Sequence, residues 1–206
     1  PKTSKVTLAN VPYEPTMDVL KNLSKFTRLQ VLTLRRIENN LPENYTFVEF
    51  AVLKDLHFLR ELNLVLYLGS INLTENFLKG LKLPPTLEHL YIWLTGACFS
   101  ASKTLAKAAK EFGKSLKNCE NLKLLVLLFD VLFGVDGFKQ VVSSIPEDMN
   151  QIETFHIYNC CTEDEGNSTV DLADIMKITC SMRNLELLIV NIEQLSLSSQ
   201  GLPELE

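Results

Sequence analysis

The chain has 206 residues, of which 46% are hydrophobic and 22% charged, and its net charge at pH 7 is -5. That is enough apolar material to bury a large core, which excludes a disordered chain, and the acidic balance argues against general nucleic-acid binding, which relies on basic patches. The longest apolar run, Leu124 to Phe133, is short and interrupted by Asp130, so no membrane-spanning helix is predicted, and the opening residues have no signal-like character.

Along the chain, strand-sized units of the form apolar-x-x-apolar-x-apolar alternate with segments of helical periodicity. Val6 and Leu8 open the series. Met17, Leu20, Leu23 and Phe26 then fall every third position over Thr16 to Phe26, behind a start signal at Pro15 and Thr16. Leu29/Leu32/Leu34 come next, then a predicted helix over Thr46 to Phe58 carrying Phe47, Phe50, Ala51, Leu53 and Phe58. Leu59/Leu62/Leu64 precede a helix over Glu75 to Leu83, and Leu87/Leu90/Ile92 precede the longest one, Ser100 to Asn118, with Leu105, Ala108, Ala109, Phe112 and Leu116 on one face. Leu122/Leu125/Leu127, a helix over Phe138 to Ile145, Ile152/Phe155/Ile157, a helix over Val170 to Met182 and Leu185/Leu188/Val190 complete the alternation. The first anchors of the full units stand at positions 29, 59, 87, 122, 152 and 185, giving intervals of 30, 28, 35, 30 and 33 residues. A near-fixed period in this range marks a solenoid of strand–helix units with parallel strands.

The segments TRLQVLTLRRI, FLRELNLVLYL, TLEHLYIWLTG, NLKLLVLLFD, QIETFHIYNC and NLELLIVNIE resemble leucine-rich repeats, and the long period resembles the helix-containing variety typified by ribonuclease inhibitor. The Asn or Cys that such repeats often carry after the third anchor is present only as Cys160; Val11, Ile37, Tyr67, Thr95, Asp130 and Glu193 take the other places, so the turns are expected to be irregular. The resemblance covers essentially the whole chain. It implies an α/β fold with a curved parallel sheet on the concave face, helices on the convex face and about six to seven repeats, and a function in binding a protein. Residues 1–206 read as one such domain. Because Thr3 to Leu8 enters a strand without a capping element and Leu202 to Glu206 reads as half a repeat, the expectation is a fragment of a longer array or multidomain protein.

In each unit the anchors point into the solenoid and the residues between them point onto the concave sheet. Stacked strands then form ladders: Thr7, Thr33, Asn63, Tyr91, Val126, His156 and Ile189, and beside them Ala9, Arg35, Val65, Trp93, Leu128, Tyr158 and Asn191. A third ladder, one residue further on, is expected to hold Asn10, Arg36, Leu66, Leu94, Phe129, Asn159 and Ile192. The expected partner face is therefore Val65, Leu66, Tyr91, Trp93, Leu94, Val126, Leu128 and Phe129, with Arg35 and Arg36 on one flank and His156, Tyr158 and Asn159 on the other. Cover by other parts of the same full-length chain, or a solenoid curled so tightly that the patch is internal, is the competing reading.

Catalytic chemistry leaves no trace in the sequence. There is no phosphate loop, Cys-x-x-Cys pair, His-Glu-x-x-His or Gly-x-Ser-x-Gly, and His57, His89 and His156 lack second ligands at metal-binding spacing. Glu163, Asp164 and Glu165 read as a solvated turn, and Cys160 and Cys161 as a turn pair. The expectation is a non-enzymatic interaction module without cofactor or metal. Alternatives are the ligand-sensing or autoinhibitory repeat region of an intracellular nucleotide-binding immune-type receptor, a structural subunit of a large complex, and a GTPase-activating solenoid, for which Arg35, Arg36 and Lys123 show no supporting arrangement. An odd set of five cysteines, Cys98, Cys119, Cys160, Cys161 and Cys180, favours an intracellular, cytoplasmic setting. The glycosylation triplets at Asn22, Asn44, Asn72 and Asn167 pull the other way.

Overall fold

A computed structural model describes residues 3–10, 13–37, 44–95, 102–130, 135–160, 170–192 and 195–196. Strands β1 (Lys5–Ala9), β2 (Val31–Ile37), β3 (Glu61–Tyr67), β4 (His89–Thr95), β5 (Leu124–Asp130), β6 (Thr154–Cys160) and β8 (Leu187–Ile192) form one parallel sheet in that order, while β7 (Val170–Asp171) pairs with β9 (Leu195–Ser196) apart from it. Every neighbouring pair is parallel, and the large sheet is open, with β1 and β8 at its edges. The connections are α1 (Tyr13–Asn22), α2 (Ile71–Gly80), α3 (Lys103–Lys117), α4 (Val135–Val142), α5 (Leu172–Thr179) and two 3-10 segments. This is the α/β solenoid that the leucine repeats predict.

The register puts like residues on like. Leu32, Leu62, Leu90, Leu125 and Phe155 stand side by side, as do Leu34, Leu64, Ile92, Leu127 and Ile157, and all ten are at most 1% exposed. The first anchor of each unit precedes its strand and closes the same small turn. The backbone N–H groups of Leu29, Leu59, Leu87, Leu122, Ile152 and Leu185 donate to the carbonyls of Phe26, Leu56, Pro84, Cys119, Met149 and Met182, at 2.9 to 3.3 Å. Cys119 thus fills a place held elsewhere by Phe, Leu, Pro or Met. It is fully buried, and burial pushes its thiol pKa up to about 12, so it serves as a small apolar anchor.

Two connections are not the α-helices that their periodicity suggests. Residues Val48–Asp55 form a 3-10 helix, and α1 gives way to a 3-10 turn at Leu23–Lys25. The spacing fits the first, because Phe47, Phe50, Leu53, Leu56 and Leu59 recur every three residues and a 3-10 helix turns once in three, stacking them on one line. Leu105, Ala108, Ala109, Phe112 and Leu116 in α3 alternate intervals of three, one and four, the mark of 3.6 residues per turn. The segment from Val170 is likewise not helical throughout. Its first two residues are strand β7, and α5 begins only at Leu172.

The helices are fixed to one another by caps and by close approach. Ser70 and Ser102 cap α2 and α3, each side-chain oxygen accepting from the N–H three residues on. The buried carboxylate of Glu75 in α2 accepts from the hydroxyls of Ser102 and Thr104 at 3.0 and 2.9 Å, tying the two helices together. The expected terminal half-repeat at Leu202 to Glu206 lies outside the described residues.

Candidate functional site

Alternation along the strands decides which side chains are available to a partner. In β3 the residues Leu62, Leu64 and Leu66 are buried, whereas Glu61, Asn63, Val65 and Tyr67 face out. In β4 the buried set is Leu90, Ile92 and Leu94, and the outward set is His89, Tyr91, Trp93 and Thr95. Two ladders of the expected face are therefore present as read: Thr7, Thr33, Asn63, Tyr91, Val126, His156 and Ile189, and Ala9, Arg35, Val65, Trp93, Leu128, Tyr158 and Asn191.

The third ladder does not belong to that face. Leu66, Leu94 and Phe129 are 3%, 0% and 1% exposed and lie in the core, where the Phe129 ring meets Phe138 of α4 edge-on at 5.9 Å. Asn159 and Ile192 are buried on the same side. The reason is period two: the strands run past the third anchor, so the second residue after it must face inward again. Arg36 stands at an irregularity between Arg35 and Ile37, where Ile37 rather than Arg36 pairs with Leu66.

What remains on the outward face is graded along the sheet. Toward β1 to β3 it is mostly polar, with Ala9, Val31 and Val65 among it: Thr33 and Glu61 accept hydrogen bonds from the amide of Asn63, at 3.3 and 2.6 Å, and Arg35 is exposed. From β4 onward apolar and aromatic side chains predominate, interspersed with His89, Thr154, His156 and Asn191, with Tyr91 and Trp93 half-buried, Val126 buried by its neighbours, and Leu128 and Tyr158 half-buried. Leu187 and Ile189 on β8 extend this apolar zone and are 49% and 39% exposed. The expected patch omits Leu187 and Leu124, although the register places them together, with His89, in an outward ladder one position earlier.

A groove of about 440 Å³ crosses the first four strands, lined by Ala9, Asn10, Arg35, Asn63, Val65, Tyr91 and Trp93. Asn10 ends β1 in a left-handed conformation, φ 55°, and its N–H donates to the Arg35 carbonyl at 3.0 Å. Desolvation raises the Tyr91 phenol above its ordinary pKa, opposed by the positive charge of Arg35, which places that charge within reach of the ring. The Trp93 indole nitrogen is shielded from water and has no hydrogen-bond partner, which leaves a buried donor unsatisfied. On β6, burial holds the His156 imidazole below its ordinary pKa, so it is neutral at pH 7.

The charged residues at the entrance to the strands are engaged elsewhere. Arg60 pairs with Glu88 at 3.2 Å and Lys123 with Glu153 at 3.0 Å, so Lys123 belongs to this exposed ladder and not to the groove. Such surface pairs stabilise little. Among the described residues no group of three or more His, Cys, Asp or Glu is placed to hold a metal ion, and no helix is long and apolar enough to cross a membrane.

No protein-family model matches the chain, and no curated protein matches it. Among solved structures, the crystal structure of an internalin from Listeria monocytogenes is similar, at 15% sequence identity and a TM-score of 0.38, covering 95% of this chain and 48% of that one. The chain thus spans about half the length of that protein.

Proposed function

We propose that the chain is a non-enzymatic protein-interaction module that engages a protein partner through the outward face of its parallel sheet. The observation that carries the reading is the run of outward Tyr91, Trp93, Leu128, Leu187 and Ile189 on a sheet whose other face is already filled by the core. Parallel sheets ordinarily have both faces covered. Leaving apolar groups in water forgoes roughly 25 cal/mol per Å² of burial, and Trp and Tyr are the residues most enriched at binding hot spots. The intervals near 30 residues with helical connections support placing it in the ribonuclease-inhibitor-like variety of leucine-rich repeat, within a longer array or multidomain protein. An intracellular, cytoplasmic location accords with the unbridged thiols of Cys119 and Cys180.

Affinity capture with the wild-type chain and a Tyr91→Ala/Trp93→Ala variant, both checked for folding by circular dichroism, tests this reading. A protein retained by the first and lost by the folded second is expected. Equal capture by both sinks the assignment of the outward face.

A further inference from the structure

The outward face is not uniform, and its gradient defines the kind of segment that fits it. Arg35, Val65, Trp93, Leu128 and Tyr158 form one ladder across β2 to β6, spanning roughly 20 Å at the strand spacing. A cation stands at one end of it. Arg35 is exposed and makes no ion pair among the described residues. The outward carboxylate described nearby, Glu61, is held by the Asn63 amide at 2.6 Å and sits four residues earlier along the strand direction than Arg35's partner Val65, about 13 Å away along the backbone.

Immediately beside Arg35 the groove is walled by Val65, Tyr91 and Trp93, so a bound group meets a guanidinium and an apolar wall within one cavity. A guanidinium presents a planar fork of donors that matches a carboxylate, and such a charge-assisted pair is strongest where neighbouring rings exclude water. Both N–H groups of the Asn63 amide are occupied by Thr33 and Glu61, so Arg35 is the groove's free charged donor. Past Trp93 the ladder continues through Leu128 and Tyr158, and the neighbouring one through Ile189, with no further described cation before the edge strand.

Building on the protein-interaction reading above, we infer that the partner presents an extended acidic-apolar segment: an Asp or Glu carboxylate seated on Arg35, with the adjoining apolar side chain against Val65 and Trp93 and the remainder running toward β8. The charge match selects the carboxylate end, and the apolar ladder selects the residues beyond it. Since the chain as a whole carries a charge of -5, long-range attraction does not favour acidic partners, and the recognition is local to Arg35.

The test is selection of displayed random peptides on the immobilised full chain, then titration of the enriched peptides against wild type, Arg35→Gln and Tyr91→Ala/Trp93→Ala. Enriched sequences are expected to combine Asp or Glu with nearby apolar residues, and Arg35→Gln is expected to weaken them at least about tenfold, the scale of one charge-assisted contact. Because Arg35 is exposed, this variant is expected to fold, and circular dichroism checks that it does. Failure to enrich any peptide, enrichment without acidic bias, or binding indifferent to Arg35→Gln each overturns the inference. If the aromatic double variant abolishes such acid-free binding, the face is still the binding surface and only the acidic segment is wrong. If neither variant matters, both readings fall.

Discussion

Replacing Gly113 with alanine sets two opposed effects against each other. Gly113 lies inside α3, where glycine costs about 1 kcal/mol relative to alanine, so helix propensity alone predicts stabilisation. A Cβ at this position, however, would stand 1.9 Å from the Ser144 carbonyl oxygen and 3.0 Å from its carbon. That falls short of an ordinary carbon contact of ~3.5 Å by roughly 1.5 Å. The obstructing atoms are backbone, and they cannot swing away: the turn is pinned where the Ser144 N–H and hydroxyl both bond the Val141 carbonyl, at 3.0 and 2.6 Å. Moving α3 off this turn would open its packing with α4, at the 1–3 kcal/mol or more typical of overpacking. We expect Gly113→Ala to destabilise by about 1–2 kcal/mol net, which lowers Tm by roughly 2–8 °C in a chain of this size. Thermal unfolding followed by circular dichroism, with urea titration for the free energy, measures it. An unchanged or raised Tm would refute the reasoning, showing that the turn yields and that propensity governs.

Burial sets two more outcomes. Leu94→Ala removes a fully buried side chain and should cost about 2–5 kcal/mol, whereas Leu128→Ala, on the outward face, should cost about 1 kcal/mol or less; urea unfolding of the pair checks the strand facing, and equal losses would mean the register is wrong. In the native protein at pH 8, iodoacetamide should label the exposed Cys180 and spare Cys119, whose thiol is pushed up to about 12, with peptide mass spectrometry reading each site; labelling of Cys119 at the rate of Cys180 would contradict its burial.

The strand register is legible because leucines two residues apart, such as Leu62 and Leu64, leave one assignment of inside and outside, and the near-fixed period repeats that assignment from strand to strand. Leu66, Leu94 and Phe129 are misplaced when two consecutive residues after the third anchor are counted as outward, which holds only if the strand ends there. In β3, β4 and β5 it runs at least two residues further, through Tyr67, Thr95 and Asp130. Spacing also blurs the connections: residues Phe47, Phe50 and Leu53 read as an α-helical stripe, although a strict interval of three fits the tighter 3-10 turn better. The pairing of Val170–Asp171 with Leu195–Ser196 joins two-residue strands, too short for any alternation to show. The Arg35 groove is half legible. Its outward residues can be read from the ladders, but the left-handed Asn10 and the closed amide network of Asn63 depend on contacts between strands that no single repeat encodes.

The repeats draw their cohesion chiefly from residues other than the outward apolar ones. Cohesion between successive units comes from the inward leucines, from the backbone ladder, and from turn contacts such as Thr86 to the Leu59 carbonyl at 2.8 Å and Gln151 to the Cys119 carbonyl at 2.9 Å. None of these requires Trp93, Leu187 or Ile189. An outward position free of packing demands is best filled by polar groups, as Thr33 and Asn63 show on the first strands, where their side chains bond one another across the sheet. Trp93 goes further against that expectation, since its indole N–H lies shielded and unpaired. An unpaired indole at a place where a threonine would serve is not something the fold itself calls for. Aromatic burial against a partner supplies a cause, and it predicts an asymmetry: variants of the outward ladder should leave unfolding nearly unchanged while removing binding, the reverse of Leu94→Ala.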